Sequence, residues 1–299
     1  MVRLVADHAV VRVPATSANL GPGFDAFGLA LALHDTIVVD AVAGGTSVHV
    51  EGEGAGEVPD GEDHLVVRAI RAGLDHVGAS QVGLSLRCTN AIPHGRGLGS
   101  SAAATVAGLV AARALVSEPE GLDDDAVLRL ATEFEGHPDN AAAALLGSAT
   151  IAWGGTEDPR AVRLDVVEGI VATALVPQER LSTTRARATL PHRVPHAEAA
   201  ATAGRAGLLV LALSQRPDLL LEATEDWLHQ RYRAPVMPAS VALVERLRDL
   251  GHAAVVSGAG PTVLVLHTGE AGAAVAEAAG PGWTAHQLAV DTDGVVVTR

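Results

Sequence analysis

Between a predicted strand and a long apolar helix, the chain reads Pro93-His94-Gly95-Arg96-Gly97-Leu98-Gly99-Ser100-Ser101-Ala102-Ala103-Ala104. Glycine stands at every second position of its centre, where it allows a tight turn and a close approach of the backbone to another molecule. Two serines follow at the predicted helix start, where unpaired N–H groups and the helix dipole favour an anion. The segment therefore predicts a phosphate-binding loop rather than a plain strand-to-helix connection.

The loop departs from three common nucleotide motifs. A Walker A loop needs a lysine after its last glycine, and the 21 basic residues of this chain are all arginine. A dinucleotide fingerprint needs a third glycine where Ser100 stands, and a protein kinase needs a lysine for the α- and β-phosphates. The segment instead resembles P-x-x-x-G-L-G-S-S-A-A, the nucleotide loop of the kinases named for galactokinase, homoserine kinase, mevalonate kinase and phosphomevalonate kinase.

Composition limits the class of protein. Hydrophobic residues make up 48% of the 299 and charged residues 19%, which predicts a globular chain of one large or two moderate domains. The net charge of −14 and the scarcity of aromatic residues, 2%, disfavour binding to nucleic acid or to an anionic membrane. Charged or glycine positions interrupt each apolar run, so we expect no bilayer-spanning segment.

Cysteine content and the first residues bear on the compartment. Cys88 is the only cysteine, so no internal disulfide can form, as suits a reducing cytosol. Its alternation with apolar neighbours predicts a core-facing strand residue rather than a nucleophile. Arg3, Asp7 and His8 interrupt the N-terminal segment, which therefore does not follow a secretory pattern. We expect a cytoplasmic protein.

Hydrophobic periodicity predicts a mixed α+β chain without a regular βαβ alternation. The predicted strands are 9–13, 36–50, 81–89, 170–176, 253–256, 262–267, 284–290 and 294–298. The predicted helices are 64–77, 101–116, the segment from Asp123 to its stop at Gly136, 204–215, 217–229, 239–250 and 270–279. Glycine and proline near residues 153–160 predict a boundary between an N-terminal domain, 1–155, and a C-terminal domain, 156–299.

A second segment resembles the homoserine kinases within that family. It reads Pro14-Ala15-Thr16-Ser17-Ala18-Asn19-Leu20-Gly21-Pro22-Gly23-Phe24-Asp25 and is similar to their N-terminal signature, P-A-[ST]-[ST]-A-N-x-G-x-G-F-D. Seen without the resemblance, it is a turn-rich loop. The resemblance implies that Asn19 and Asp25 bind an amino-acid substrate, with Asn19 also in the catalytic group. Which of them meets the ammonium and which the hydroxyl stays open.

A third segment reads Glu133-Phe134-Glu135-Gly136-His137-Pro138-Asp139-Asn140. On its residues alone it is a helix end, stopped by Gly136 and kept from restarting by Pro138. It resembles the E-x-E-G and H-x-D-N of homoserine kinases. The resemblance implies that Glu133 and Ser100 bind Mg²⁺, that Asp139 and Asn140 bind substrate with Asp139 catalytic, and that Glu135 is structural. Whether Asp139 is a general base stays open, because positioning and charge neutralisation can carry phosphoryl transfer.

Two arginine motifs and a glycine turn complete the pattern. The first arginine motif, similar to S-T-x-x-A-R of the family, is Ser182-Thr183-Thr184-Arg185-Ala186-Arg187. The second, similar to Y-R-x-x-x-x-P, is Tyr232-Arg233 before Pro238. The glycine turn, similar to a third family motif, is Ser257-Gly258-Ala259-Gly260-Pro261-Thr262. The resemblance implies that Thr183, Arg187, Arg233 and Gly260 bind substrate. Both arginines are also compatible with a solvated surface. A guanidinium group can bind a substrate carboxylate through two hydrogen bonds. A neutral alcohol substrate would not require such a pair of arginines.

Taken together, the resemblance implies the family's two-domain α+β fold, with a ferredoxin-like C-terminal domain and the site between the domains of a homodimer. ATP would bind residues 93–103 with Mg²⁺, and L-homoserine would become O-phosphohomoserine, on the route to threonine. Asp63-His64-Leu65-Val66 departs from the Asn-Leu-Val found beside the adenine in relatives. A kinase of another small alcohol, such as mevalonate, and a non-catalytic ATP-binding protein remain alternatives.

Overall fold

The computed structural model describes residues 2–298, and two β-sheets organise it. The strands are β1 (His8–Ala18), β2 (Phe27–Val42), β3 (Ser47–Gly52), β4 (Gly83–Asn90), β5 (Ala149–Trp153), β6 (Arg160–Leu164), β7 (Ile170–Pro177), β8 (Ala253–Val256), β9 (Val263–Thr268), β10 (Trp283–Ala289) and β11 (Val296–Thr298). The helices are α1 (Leu65–His76), α2 (Ser100–Leu115), α3 (Asp124–Glu135), α4 (Asp139–Leu146), α5 (Thr183–Arg187), α6 (His196–Ser214), α7 (Leu220–Ala223), α8 (Pro238–Asp249) and α9 (Gly272–Ala279). Short 3₁₀ turns occur at Pro119–Leu122, Pro217–Leu219 and Arg231–Arg233.

The larger sheet supports the phosphate-binding loop. Its path is β11-β1-β2-β4-β3, and β5 joins it by pairing with β2 and with β6. Helix α2 packs against β1 and three other helices, α1, α3 and α4, and it is buried nearly all round, as its uniformly apolar sequence requires. Cys88 on β4 faces this core as predicted, and burial raises the pKa of its thiol to about 12.

The smaller sheet is the ferredoxin-like half of the molecule. Its four strands follow the order β10-β7-β9-β8, and every neighbouring pair is antiparallel. Helices α6 to α8 connect β7 to β8, and α9 connects β9 to β10. This split βαββαβ arrangement confirms the predicted α+β class and the ferredoxin-like C-terminal sheet.

Three predictions about elements need correction. Strand β1 continues from the predicted 9–13 to Ala18, so the signature loop begins only at Asn19. The predicted helix 217–229 ends with α7, because the Asp226 carboxylate accepts the N–H groups of the next residues and replaces helical bonds. Pro138 does not keep the helix from restarting, since α4 begins at Asp139 directly after it.

Strands β6 and β11 both join the larger sheet, so residue 155 does not divide the two sheets. The domain limits stay a prediction.

Helix α6 contradicts the expectation that no run of the chain is long and apolar enough to span a membrane. It has 19 residues and a mean hydropathy of 1.2 over its most apolar window. However, Leu209 and Leu213 pack into the core, and Glu198 forms an ion pair with Arg231. A helix that packs apolar side chains into a core and pairs a charged residue with a neighbouring segment is typical of a folded domain.

Candidate active site

The loop between β4 and α2 has the shape that its glycines predict. Gly95, Gly97 and Gly99 have φ values of 65°, 78° and 71°, in the left-handed region that glycine enters without strain. Helix α2 begins at Ser100 without a side-chain cap, and its first turn lines a pocket. Its uncapped amide groups, at the positive end of the helix dipole, are able to bind an anion.

Hydrogen bonds from both sheets hold this loop. The backbone N–H of Thr16 on β1 donates to the carbonyl of Leu98 at 3.0 Å. The hydroxyl of Ser257, which follows β8, donates to the carbonyl of Gly97 at 2.6 Å. The loop is therefore fixed before a ligand arrives, which lowers the entropy cost of binding.

A side chain at position 97 has no room. An alanine Cβ there would lie 2.4 Å from the carbonyl oxygen of Ser257, whereas at position 95 the nearest atom, in Arg180, is 3.6 Å away. Both substitutions cost roughly 1–2 kcal/mol because φ is positive. We expect Gly97→Ala to lower the free energy of unfolding clearly more than Gly95→Ala, and to weaken nucleotide binding, as measured by denaturant unfolding and calorimetry. Equal effects of the two variants would contradict the close packing of this loop.

Three side chains of the predicted nucleotide segment point elsewhere. The guanidinium of Arg96 donates to the carbonyls of Pro177 and Gln178 at 3.0 and 3.2 Å. His94 lines a second pocket, and Ala103 is buried in the core. These three side chains therefore do not line the first pocket, because a turn that aims its backbone at a ligand directs side chains outward, and their part in nucleotide binding stays a prediction. The pocket lining retains Pro93, Gly95 and residues 97–102.

The carboxylate beside the loop is that of Glu135 rather than Glu133. Glu135 lines the same pocket as Ser100 and accepts a hydrogen bond from the Ser101 hydroxyl at 2.7 Å. Glu133, to which the resemblance gave the metal, is exposed and does not line this pocket. Residues two apart on an α-helix point in nearly opposite directions, and Glu133 lines only a neighbouring, open pocket, which Ser101 and Glu135 also line. The structure therefore places Glu135 beside Ser100 in this pocket, and the identity of the metal ligand stays a prediction.

The surroundings of Glu135 fit a divalent cation. Its hydrogen bonds come from two hydroxyls, those of Ser101 and Thr105, and burial raises the pKa of its carboxyl. A half-buried carboxylate is stabilised when a cation neutralises it, and carboxylate and hydroxyl oxygens suit Mg²⁺. Across residues 2–298 no group of three acidic, histidine or cysteine side chains forms a ready metal site, so further ligands would come from water and phosphate.

Asp139 faces the loop from the start of α4, and one of its oxygens is already fixed. Its Oδ1 accepts the backbone N–H of Asn140 at 2.7 Å and lies 2.8 Å from Nδ1 of His137. Burial alone would lower the pKa of His137, but the hydrogen bond with Asp139 raises it overall. Within the part of the chain that the structure describes, Oδ2 of Asp139 makes no hydrogen bond, so it is available to a ligand.

Asp25 and Arg187 form a bidentate ion pair. Nη1 of Arg187 donates to Oδ2 of Asp25 at 3.0 Å, and Nη2 donates to Oδ1 at 2.5 Å. Both side chains keep about one third of their surface exposed. The resemblance assigned Asp25 and Arg187 to different groups of the substrate, and in the structure the two side chains contact each other. The pair presents opposite charges side by side, which suits a zwitterionic ligand.

Arg233 and Asn19 meet at one carbonyl. Arg233 is 1% exposed, and its Nη1 donates to Gly258 O at 2.7 Å while Nδ2 of Asn19 donates to the same oxygen at 2.9 Å. Oδ1 of Asn19 accepts the N–H of Asp25, so its amide mainly holds the signature loop in place. Burial, reinforced by the charge of Arg187, lowers the pKa of Arg233 to about 10, which leaves it protonated at neutral pH.

These groups share one pocket of about 110 Å³. Besides the residues of the loop, the pocket lining includes polar and charged residues and a glycine: Asn19, His137, Asp139, Asn140, Thr183, Arg187, Arg233 and Gly260. Asp25 lies behind this lining, on Arg187. An anion site and a cluster of carboxylate and guanidinium groups in one cavity can hold a polyphosphate and a small zwitterion together, as direct group transfer requires.

A second pocket of about 270 Å³ adjoins the first through Ser100 and Ser101. Apolar side chains form much of its wall, with Asp35 and His64 between them. Asp35 accepts two backbone N–H groups at the start of the loop. His64 is buried, its Nδ1 has no partner in residues 2–298, and burial lowers its pKa. A largely apolar slot beside a phosphate site suits a nucleotide base.

Sequence reasoning missed several residues that assemble the site. The hydroxyls of Ser17 and Ser257 lie 2.8 Å apart and join β1 to the glycine turn. Both serines stand within motifs that resemble the family, and that position was the only sequence signal for their role. His229 is buried against Gly21 and Arg233. No local pattern identifies His229, since its partner Gly21 is 208 positions away.

Comparisons with known proteins identify relatives of the chain. Models of the GHMP kinases match the chain at residues 64–148 (N terminal domain) and 208–281 (C terminal). The homoserine kinase of Streptomyces avermitilis is 54% identical over 96% of this chain and 94% of its own, and that of Clavibacter michiganensis subsp. michiganensis is 52% identical over 96% and 93%. The crystal structure of homoserine kinase from Cytophaga hutchinsonii superposes with a TM-score of 0.85 at 27% identity, covering 98% of both chains.

Proposed function

The chain belongs to the GHMP kinase family, and we propose that within it the protein is a homoserine kinase. It transfers the γ-phosphoryl group of ATP to the side-chain hydroxyl of L-homoserine: the γ-phosphorus leaves the bridging oxygen of ADP and bonds to the hydroxyl oxygen, whose proton is released. The observation that carries the substrate class is the Arg187–Asp25 pair beside the phosphate loop. The product, O-phosphohomoserine, is used in threonine synthesis.

The loop binds the triphosphate through its backbone. The left-handed glycines turn the peptide groups, and the uncapped start of α2 directs its amides into the pocket. No lysine exists in the chain to add a mobile charge, so affinity depends on amides held in place by β1 and by Ser257. The apolar second pocket with His64 receives the base.

Glu135, together with the hydroxyls of Ser100 and Ser101, holds Mg²⁺ in this proposal. The bound cation would neutralise charge on the phosphate oxygens. What supports the assignment is a half-buried carboxylate bonded to hydroxyls and the position of both serines in the same pocket. Before any ligand binds, the protein holds Glu135 against Ser101, which fixes its orientation.

The acceptor is oriented by charge on three sides. Arg187 and Arg233 bind the α-carboxylate, Asp25 binds the α-ammonium, and Oδ2 of Asp139 accepts a hydrogen bond from the hydroxyl. Entry of a zwitterion exchanges the ion pair between Arg187 and Asp25 for two pairs with the ligand, so little charge is left unpaired. His137 and Asn140 fix the carboxylate of Asp139, which positions the hydroxyl for in-line attack.

The protein acts in the cytoplasm as a homodimer in this proposal. The exposed side of α6 supports an association of copies, since small and apolar residues line it and Leu211 is 37% exposed. Light scattering tests the stoichiometry.

ADP release with a panel of hydroxylated compounds tests the function. We expect turnover with L-homoserine and, at a clearly lower kcat/KM, with L-serine or L-threonine, whose hydroxyls lie one carbon closer to the α-carbon. Mevalonate has a carboxylate but no ammonium, so Asp25 would be left unpaired, and we expect no measurable turnover with it. A preference for mevalonate would overturn the substrate assignment while leaving the kinase activity in place.

A further inference from the structure

His229 is buried between the signature loop and Arg233. It is 0% exposed, and its Nε2 lies 2.8 Å from the carbonyl oxygen of Gly21. Its Nδ1 lies 3.1 Å from Nη1 of Arg233. The ring stacks on Phe24 with a centroid distance of 5.0 Å. The imidazole therefore joins the loop that carries Asp25 to the arginine that faces the acceptor pocket.

The two contacts fix the tautomer of His229. A guanidinium group has donors and no acceptor, so Nδ1 must accept from Arg233. A carbonyl only accepts, so Nε2 must carry the proton and donate to Gly21. Each ring nitrogen then has one partner, and neither contact can survive in the other tautomer.

The charges around the ring are consistent with the neutral form. The carboxylate of Asp226 is buried, lies 3.5 Å from Nε2, and already accepts three backbone N–H groups. Burial lowers the pKa of His229 and the nearby charge of Arg233 lowers it further, while Asp226 and Asp25 oppose them. A neutral ring is the form that accepts from Arg233.

We infer that His229 is a positioning residue for Arg233, which it directs toward the substrate carboxylate through the hydrogen bond at Nδ1. The inference rests on the proposed function, because it concerns the acceptor side of that site. Arg233 has one further hydrogen-bond partner, the carbonyl of Gly258, and its buried Nε is unpartnered among the residues described. Without His229 the guanidinium rotates about that single contact and binds the carboxylate in a poorer geometry.

Three variants separate the two contacts of the ring. His229→Asn places an amide oxygen near the position of Nδ1 and retains the acceptor for Arg233. His229→Gln places its amide near Nε2 and retains only the bond to Gly21. His229→Leu loses both, and His267→Leu is the matched control, a buried histidine on β9 that bonds to Thr173 and lines neither pocket.

We expect His229→Leu and His229→Gln to raise KM for homoserine at least about tenfold, the usual size of a lost hydrogen bond to a charged group. KM for ATP should stay within about twofold. His229→Asn should lie within about threefold of the wild type, and His267→Leu should leave both KM values unchanged. Equal homoserine KM values in the Asn and Leu variants, or parallel increases for both substrates, would overturn the inference.

A second measurement needs no substrate. The ¹⁵N chemical shifts of the His229 ring should show a protonated Nε2 and a bare Nδ1 at neutral pH, and Arg233→Met should shift the Nδ1 resonance. A protonated Nδ1 would contradict the positioning role of His229 even if the protein were an active kinase. If the wild type fails to phosphorylate homoserine while the ring has the expected tautomer and responds to Arg233→Met, the substrate assignment fails and the link between His229 and Arg233 stands.

Discussion

Replacing Glu135 by glutamine lowers kcat by about 10²–10³-fold, the size of effect seen when one preorganised electrostatic group is removed from a transition state. Glutamine keeps the shape of the side chain and an acceptor for the Ser101 hydroxyl, which lies 2.7 Å from Glu135. The loss is therefore one of charge, and it should be accompanied by a higher Mg²⁺ concentration at half-maximal rate. Steady-state kinetics under a magnesium titration measures both.

Glu133→Gln is the matched control for this experiment. Glu133 lies on the same helix, α3, but is exposed and outside the pocket, so its substitution should leave kcat within about twofold. The folded state of Glu135→Gln should be at least as stable as the wild type without magnesium, because the variant removes a partly desolvated carboxylate whose pKa is raised by burial. A large loss of kcat in Glu133→Gln together with a normal kcat in Glu135→Gln would instead support Glu133 as the metal ligand, as the motif implied.

The phosphate loop was predictable because its chemistry is local. Gly95, Gly97 and Gly99 adopt positive φ, and α2 begins at Ser100, one residue before the predicted start. Each of these features depends on residues a few positions apart, so the sequence contains the whole signal. The same holds for Asp123, which stands at the predicted start of this helix and caps α3 by accepting the N–H of Ala126.

The choice between Glu133 and Glu135 shows where a motif is weaker than periodicity. The buried face of α3 includes Val127, Leu128 and Ala131, and Glu135 follows them by eight, seven and four residues. That spacing places it on the buried face, which the pattern E-x-E-G does not reveal. Most of the buried residues of α3 therefore share a helix face with Glu135 rather than with Glu133.

The remaining differences involve partners distant in sequence. Strand β11 returns to pair with β1, and no local pattern distinguishes it from a fifth strand of the smaller sheet. Asp226 ends a predicted helix by accepting backbone N–H groups, yet an aspartate also occurs on exposed helix surfaces. The pairing of Asp25 with Arg187 joins positions 162 apart, so it becomes visible only in the folded chain.

Arg187→Gln should lower kcat/KM for homoserine by about 10²-fold, within the range found when one partner of a close charge pair is removed. The guanidinium holds Asp25 through two hydrogen bonds, and in the complex it would hold the substrate carboxylate. Its loss leaves that carboxylate to Arg233 alone and Asp25 without its bidentate partner. KM for ATP should remain within about twofold, because Arg187 does not contact the phosphate loop by any hydrogen bond in residues 2–298.

Two controls separate carboxylate binding from a general loss of structure. Arg185→Gln removes an exposed arginine from the same short helix, α5, and should leave homoserine kinetics unchanged. 3-Amino-1-propanol retains the ammonium and the hydroxyl of homoserine but lacks the carboxylate, so its weak phosphorylation should be the same in the wild type and in Arg187→Gln. If Arg187→Gln lowers the phosphorylation of the amino alcohol and of homoserine by the same factor, Arg187 acts by holding Asp25 in place. The substrate carboxylate must then bind to Arg233 alone.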